Sequence, residues 1–144
     1  MKSPLLVPHP ATDLLAEARH AADGAYSPYS GWRVGAAAEF ADGRVFRGAN
    51  VENGSYGLTI CAERTAVSSA VVAGSRALVR LALTCRDRAG DLVAGIVPCG
   101  ACLQVMHEFG TPDTVILIDG AGTFRLADFL PRPFGHGVEV PRQA

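Results

Sequence analysis

Two short segments hold three of the four cysteines of this chain, and they constrain its fold more than any other feature. They are Cys61-Ala62-Glu63-Arg64 and Pro98-Cys99-Gly100-Ala101-Cys102. Three thiolates can bind Zn²⁺ in a tetrahedral site and leave the fourth position open, as catalytic zinc sites do. If one metal ion binds both segments, the fold has to bring these distant parts of the chain together.

Both segments lie where the sequence predicts that a helix begins, over Cys61–Ala73 and Cys99–Phe109. The N-terminus of a helix stabilises a thiolate through its free N–H groups and its dipole. Glu63 follows Cys61 by two residues, so its carboxylate can reach water bound at the open position. Arg64 can offset negative charge by donating to a ligand sulfur. The alternative for both is an ordinary solvated side chain in the first helical turn.

A single CxxC is also found in redox dithiols and in zinc ribbons. A ribbon needs a second CxxC, and the sequence has none. The fourth cysteine, Cys85, closes the apolar run 78–84, which predicts a buried structural thiol.

Composition excludes several classes of partner. The chain has 144 residues and a net charge of −1, with 49% hydrophobic and 19% charged residues. This predicts a single globular domain over 1–144 and disfavours a nucleic acid or an anionic membrane as partner. Residues 1–11 contain three prolines and are expected to form a flexible arm. Neither a signal peptide nor a membrane span is recognisable, so we expect a soluble, cytoplasmic protein.

The alternation of strands and helices predicts a three-layer αβα sandwich around a mixed five-stranded sheet. A first helix is expected from Asp13 to about Gly24, capped by Thr12. The five predicted strands are Arg33–Phe40, Arg44–Gly48, 78–84, Thr114–Ile118 and Thr123–Leu126. The first two strands are joined by Ala41-Asp42-Gly43, a typical hairpin turn.

Over about residues 13 to 135 the chain resembles the small homotetrameric zinc-dependent cytidine deaminases. Five motifs in the family's order carry the resemblance: Tyr26-Ser27-Pro28-Tyr29-Ser30 with Val34-Gly35-Ala36-Ala37; Asn50-Val51-Glu52-Asn53 with Ser55-Tyr56; Cys61-Ala62-Glu63-Arg64-Thr65-Ala66; Pro98-Cys99-Gly100-Ala101-Cys102 with Gln104; and Leu130-Pro131 with Phe134. The resemblance implies a cytidine deaminase-like fold and a hydrolase of pyrimidine salvage that converts cytidine or 2′-deoxycytidine to the uracil nucleoside and ammonia.

The resemblance also implies roles for the cysteine segments. Cys61, Cys99 and Cys102 would bind one Zn²⁺ per subunit. Glu63 would carry protons from water to N3 of the pyrimidine and then to the departing amine. The backbone of Ala62 would contact the edge of the base.

Further residues would bind the rest of the nucleoside. Asn50 and Glu52 match the family's pair for the ribose 3′-hydroxyl, although an Asx-rich turn is the alternative interpretation. Tyr56 and Phe134 match positions that complete the pocket of a neighbouring subunit in tetrameric members. The small residues of the helix Cys61–Ala73 are expected to suit a subunit interface.

Two positions depart from the family pattern. Trp32 stands where the family usually has Phe in the wall against the base, which predicts a reshaped pocket. Leu103 stands where the family usually has Arg after its last cysteine, which leaves Arg64 as the compensating charge or shifts local pKa values.

Two alternatives for function stay open. The first is a deaminase of a related cytosine nucleoside such as blasticidin S, although the antibiotic-directed relatives differ in the loop Asn50-Val51-Glu52-Asn53. The second is a non-catalytic, zinc-stabilised module, which would have no need of Glu63.

Overall fold

The computed structural model describes residues 6–7 and 13–135. Within these ranges the chain forms a six-stranded sheet, four α-helices and one short 3₁₀ helix. In chain order the elements are β1 (Leu6–Val7), α1 (Leu14–Ala22), β2 (Arg33–Phe40), β3 (Val45–Ala49), the 3₁₀ helix (Tyr56–Leu58), α2 (Ala62–Val72), β4 (Leu78–Arg86), α3 (Gly100–Phe109), β5 (Val115–Ile118), β6 (Gly122–Arg125) and α4 (Leu126–Phe129).

The sheet is mixed, and its strands lie in the order β1-β3-β2-β4-β5-β6. Strands β4 and β5 pair in parallel, and the other neighbouring strands pair antiparallel. A parallel pair needs a long crossover connection, and helix α3 lies within the connection between β4 and β5. The crossover is therefore the element that carries Cys99 and Cys102 to the sheet.

The two faces of the sheet are covered by different helices. One face buries alternate strand residues against α2, α3 and α4, among them Ala36, Leu83 and Ile118. The opposite face buries Ala37 and Ala82 against α1. Because successive side chains of a strand point to opposite faces, β2 supplies alanines to both layers. This arrangement confirms the predicted three-layer sandwich.

Two glycines set how closely the helices approach the sheet. A Cβ at Gly35 would lie 2.0 Å from the carbonyl oxygen of Ala18 in α1. A Cβ at Gly48 would lie 2.3 Å from the carbonyl oxygen of Ala62 in α2. Contacts this short do not occur for real side chains, so a side chain at Gly48 would push α2, with its first turn, away from the sheet.

The structure differs from the sequence prediction in two details. The five predicted strands are present, and β1 adds a sixth that pairs with β3. Its two residues belong to the predicted flexible arm, and the rest of that arm lies outside the described residues. Helix α1 is capped by Asp13, whose carboxylate accepts from the N–H groups of Leu15 and Ala16 at 3.1 and 3.2 Å. The expected cap, Thr12, also lies outside the described residues.

The longest helix among the described residues, α2, has 11 residues. In this described part of the chain, no helix combines the length and the apolar character needed to cross a bilayer.

Candidate metal centre and nucleoside site

The three cysteines of the two segments meet between the N-termini of α2 and α3. Cys61 is the N-cap residue of α2 and Cys99 is that of α3, as the sequence predicts. The Sγ atom of Cys99 lies 3.9 Å from that of Cys61 and 3.3 Å from that of Cys102. All three sulfurs lie within 4.8 Å of one another.

This donor set fits a zinc ion. Zn–S bonds of about 2.3 Å in a tetrahedron place the sulfurs about 3.8 Å apart, close to the separations found here. All three cysteines are free thiols, so no disulfide competes for the sulfurs. Cys102 is fully buried, Cys61 is half-buried and Cys99 is exposed, so the cluster extends from the core to the surface.

Hydrogen bonds inside the cluster favour deprotonation of Cys61. The pKa of Cys61 is lowered to about 5, chiefly because the Cys102 thiol donates a hydrogen bond to its sulfur, with Arg64 and Cys99 adding to the effect. The pKa of Cys102 is raised, because this donation retains its proton and because the thiol is buried. Since metal binding needs deprotonated sulfur, loading the site would release the proton that Cys102 holds.

The Arg64 guanidinium lies beside the cysteine sulfurs, and not all of its N–H groups are hydrogen-bonded within the described residues. Its Nη2 donates to the carbonyl oxygen of Thr59 at 3.3 Å and to the Sγ atom of Cys61 at 3.7 Å. The sulfurs of Cys61 and Cys102 both raise the pKa of Arg64. Its buried Nε has no hydrogen-bond partner among the described residues. The complex of a divalent cation with three thiolates would carry a net negative charge, and Arg64 is placed to balance that charge.

Leu103 offers no second compensating charge. Its side chain is buried in the core between α2, α3 and the sheet. Among the described residues, Arg64 is thus the arginine whose side chain donates to a sulfur of the cluster.

Glu63 is a buried carboxyl group in the first turn of α2. Its residue surface is only 4% exposed. Burial is the main cause that raises the pKa of Glu63 to about 7, and the negative charge of Cys61 acts in the same direction. Hydrogen bonds to its own backbone and to Cys102 oppose this rise. A surface glutamate in a first turn would not be desolvated in this way, so the structure disfavours the solvated interpretation.

Ala62 places backbone groups beside the same centre. It is fully buried at the first position of α2, where a backbone N–H has no carbonyl partner within the helix. The hydroxyl of Thr65 donates to the carbonyl oxygen of Ala62 at 2.8 Å and to that of Ala49 at 2.9 Å. These bonds fix the first turn of α2 against the end of β3.

Asn50 follows β3 and fixes the start of β2. Its Oδ1 accepts from the Val34 N–H at 2.9 Å, and its Nδ2 donates to the Trp32 carbonyl oxygen at 2.9 Å. An amide has one further N–H and one further lone pair, so a ligand hydroxyl can still bind. Both the structural interpretation and the predicted binding role are therefore compatible with this side chain.

Glu52 is held by the loop 27–31. Its carboxylate accepts from the Tyr29 N–H at 2.9 Å, from the Ser30 N–H at 3.2 Å and from the Ser30 hydroxyl. The Ser30 hydroxyl is the largest cause that lowers the pKa of Glu52. The charged carboxylate is thereby oriented before any ligand arrives.

Three aromatic side chains expected in the site are partly or largely exposed. Tyr56 lines a cleft of about 390 Å³ together with Glu52, and its ring packs edge-on against Tyr29 with centroids 5.6 Å apart. Trp32 is 44% exposed, and Tyr56 and Phe134 are each 73% exposed. The described chain therefore leaves two of its expected pocket residues largely uncovered.

Phe134 is nevertheless fixed through its backbone. Gln104 accepts from the Phe134 N–H and donates to the Phe134 carbonyl oxygen, both at 3.1 Å. Because Gln104 follows Cys102 by two residues, this pair of hydrogen bonds ties the position of Phe134 to the helix that carries two cysteines.

Several residues that hold the site residues Glu52 and Phe134 in place could not be assigned from the sequence. Tyr29, Ser30 and Gln104 lie in recognised motifs, but their pairing with Glu52 and Phe134 depends on tertiary contacts. Arg88, which contacts the loop 27–31, has no motif at all. An arginine in a charged loop gives no signal that separates it from a solvated side chain.

Comparison with protein families identifies one match. The family described as the cytidine and deoxycytidylate deaminase zinc-binding region matches residues 9–118. A cytidine deaminase from Halalkalibacterium halodurans is 49% identical over 105 residues, covering 73% of this chain and 76% of that protein. A cytidine deaminase from Mycobacterium tuberculosis is 47% identical over 131 residues, covering 90% and 92% respectively.

Solved structures give the same result. The crystal structure of cytidine deaminase from Burkholderia pseudomallei superposes with a TM-score of 0.77 at 41% identity, covering 88% of this chain and all (100%) of that one. The crystal structure of cytidine deaminase from Mycobacterium tuberculosis superposes with a TM-score of 0.72 at 46% identity, covering 85% and 94%.

Proposed function

This chain belongs to the cytidine and deoxycytidylate deaminase family, and on that premise we propose that it hydrolyses cytidine and 2′-deoxycytidine to uridine and 2′-deoxyuridine. The family is zinc-binding, and the cluster of Cys61, Cys99 and Cys102 is able to hold that ion. The observation that supports the reaction most directly is the buried Glu63 carboxyl in the first turn of the helix that Cys61 caps.

The chemistry divides between the metal and the chain. When bound, zinc supplies a Lewis acid that makes water a nucleophile at neutral pH. The carboxyl of Glu63 takes the proton of the attacking water and delivers it to N3 as the C4–O bond forms. The same carboxyl then moves the remaining proton of the oxygen now bonded to C4 to the amine, which leaves as ammonia as the C4–N bond breaks and the C4 carbonyl forms. The Ala62 backbone orients the edge of the base.

The non-catalytic alternative fits these residues less well. A structural zinc site is usually closed by a fourth ligand, whereas here three cysteines form the cluster among the described residues. Burial of a carboxyl group such as Glu63 costs free energy, and the hydrogen bonds it makes offset only part of that cost, since its pKa is still raised to about 7. A module stabilised only by zinc would gain nothing from this residue.

The sugar is the proposed ligand of Asn50 and Glu52. Asn50 keeps a free donor and a free acceptor, and Glu52 is an oriented carboxylate at the cleft. Together they can donate to and accept from one hydroxyl group, which we assign to the ribose 3′-hydroxyl. This favours a nucleoside over free cytosine, but it does not separate ribose from deoxyribose.

Turnover on a panel of substrates tests the proposal. The zinc-loaded protein should remove the ultraviolet absorbance band of cytidine and of 2′-deoxycytidine, with much slower reaction of cytosine. The panel should include blasticidin S and a cytidine nucleotide, each compared at the same measured zinc content. Fast turnover of blasticidin S alone would support the antibiotic-directed alternative. Intact zinc with no turnover of any member would support the non-catalytic module.

We propose further that the active protein is a homotetramer whose subunits share sites. Three of the small residues of α2 are not available for this role, because Ala62, Ala66 and Ala70 are buried in the subunit's own core, while Ser69 is half-buried and Ala73 is exposed. Support comes instead from Tyr56 and Phe134, two largely exposed aromatic side chains with fixed surroundings. Large exposed aromatic groups of this kind are typical of an association surface.

Light scattering of the active protein checks this assembly. We expect a mass of four times the 15.0 kDa of the chain. Replacement of Phe134 by Ala should lower activity at low protein concentration, because sites depend on the neighbouring subunit. A fully active monomer would contradict the shared-site assembly.

The cellular setting follows from the proposed substrate. Cytidine and 2′-deoxycytidine are metabolites of the cytoplasm, so we propose a cytoplasmic enzyme of pyrimidine salvage.

A further inference from the structure

The loop 27–31, which holds Glu52 on one side, is held by Arg88 on its other side. The Nη2 atom of Arg88 donates to the carbonyl oxygen of Tyr29 at 3.1 Å. The N–H of the same residue, Tyr29, donates to the Glu52 carboxylate at 2.9 Å. A single residue of the loop therefore links the exposed Arg88 to the buried Glu52.

The Arg88 side chain also packs directly on the loop. Gly31 has a φ of 75°, a backbone conformation that favours glycine. A Cβ at Gly31 would lie 2.6 Å from Nε and 3.1 Å from both Cβ and Cζ of Arg88. Because Gly31 has no side chain, the Arg88 side chain can lie along the backbone at this position.

Arg88 is carried by a well-fixed turn. The Asp87 carboxylate accepts from the N–H groups of Ala89 at 2.9 Å and Asp91 at 3.0 Å. The Asp87 backbone also accepts from the Gly90 N–H at 3.0 Å and donates to the Asp91 carbonyl oxygen at 2.9 Å. These bonds fix the backbone on both sides of Arg88, so its guanidinium has a stable base from which to hold the loop.

We propose that Arg88 is a positioning residue for nucleoside binding, because it fixes the loop whose amides orient the Glu52 carboxylate. The inference rests on the proposed sugar-binding role of Glu52. Arg88 itself does not have to touch the substrate. It acts by keeping the Tyr29 and Ser30 donors in place, so that the carboxylate is already oriented when the sugar arrives.

Steady-state kinetics on Arg88→Ala tests this role. We expect KM for cytidine to rise about 3- to 10-fold with kcat changed less than about twofold, because an exposed hydrogen bond that orients a ligand group has a modest effect. Arg88→Lys should recover part of the loss, since an ammonium can still donate to the Tyr29 carbonyl oxygen. Arg76→Ala is the matched control: Arg76 is also exposed and donates to backbone carbonyl oxygens, but to those of Ser75 and Val71, away from the loop 27–31. The KM of Arg76→Ala for cytidine should equal that of the parent protein.

A double-mutant cycle separates positioning from general stabilisation. In a Glu52→Ala background, Arg88→Ala should change KM by less than about twofold, because the group that it positions is gone. An equal, additive effect in both backgrounds would overturn the inference. If Glu52→Ala raises KM and Arg88→Ala does not, only the role of Arg88 is wrong. If Glu52→Ala itself leaves KM unchanged, the proposed sugar contact and this inference both fall.

Discussion

Replacement of Glu63 by glutamine should lower kcat for cytidine by about 10⁴-fold or more while zinc remains bound. This is the upper end of the range of about 10²–10⁴-fold that is typical of general acid–base catalysis. The metal needs only the three cysteine sulfurs, so the substitution removes no ligand. The amide can still hydrogen-bond to the edge of the base, but it cannot accept and return a proton. Because one carboxyl group is proposed to carry out several proton transfers, its loss affects more than one step.

The fold should tolerate this change. Burial already favours the neutral form of Glu63, as its pKa of about 7 indicates, and glutamine is a neutral group of nearly the same shape. We therefore expect the metal-free variant to unfold at a temperature no lower than the parent protein. Metal analysis, substrate binding and turnover should be measured on one preparation. Glu108→Gln, on the exposed face of α3, is the matched control and should leave all three unchanged.

Two outcomes would contradict the assignment. Full zinc content with near-normal turnover would exclude Glu63 as the proton carrier. Loss of zinc would instead show that the carboxyl supports the metal centre, which the structure gives no reason to expect.

The metal centre was the part of this protein most open to prediction from sequence. Cys61 and Cys99 were expected at the beginnings of helices, and they are the N-cap residues of α2 and α3. The expectation about the helix starts is confirmed, because capping depends on local sequence, whereas bringing Cys61 and Cys99 together depends on the fold. The mixed sheet was predictable for a similar reason, since its apolar runs are short and bounded by turn residues.

The surroundings of the nucleoside site were less predictable. Glu52 was expected from its motif, but the Tyr29 and Ser30 groups that hold it come from a loop more than twenty residues earlier in the chain. Arg88 reaches the same loop from much further along the chain. No periodicity or spacing encodes such contacts, because they depend on the pairing of β2 with β3 and β4 in the folded chain.

The α2 helix shows a different limit. Its small residues were expected to serve a subunit interface, yet Ala62, Ala66 and Ala70 are buried in the chain's own core, and Gly48 lies against Ala62 and Ala66. A stripe of alanines indicates close approach, but it does not indicate which surface approaches. In this chain the alanine face of α2 packs on the sheet, because Gly48 of β3 has no side chain to keep the helix away.

Replacement of Glu52 by alanine should lower kcat/KM for cytidine by about 10- to 100-fold and leave zinc in place. The carboxylate is oriented by three donors from the loop 27–31 and lies at the cleft, so its remaining lone pairs are available to a sugar hydroxyl. Its lowered pKa keeps it ionised well below neutrality, because protonation would weaken the bond from Ser30. We therefore expect the KM of the parent protein to be independent of Glu52 titration between about pH 6 and 8.

Glu52→Ala also removes the acceptor that holds the loop, so the sugar contact has to be separated from loop displacement. Ser30→Ala is the matched variant, because it keeps the carboxylate and removes one of its loop donors, together with the acceptor of the Trp32 N–H. If the sugar contact dominates, Ser30→Ala should lose much less kcat/KM than Glu52→Ala. Free cytosine, which has no sugar, should react equally slowly with the parent and with Glu52→Ala. Unchanged kcat/KM for cytidine in Glu52→Ala would remove this residue from the site, and an equal loss in Ser30→Ala would assign the effect to the loop.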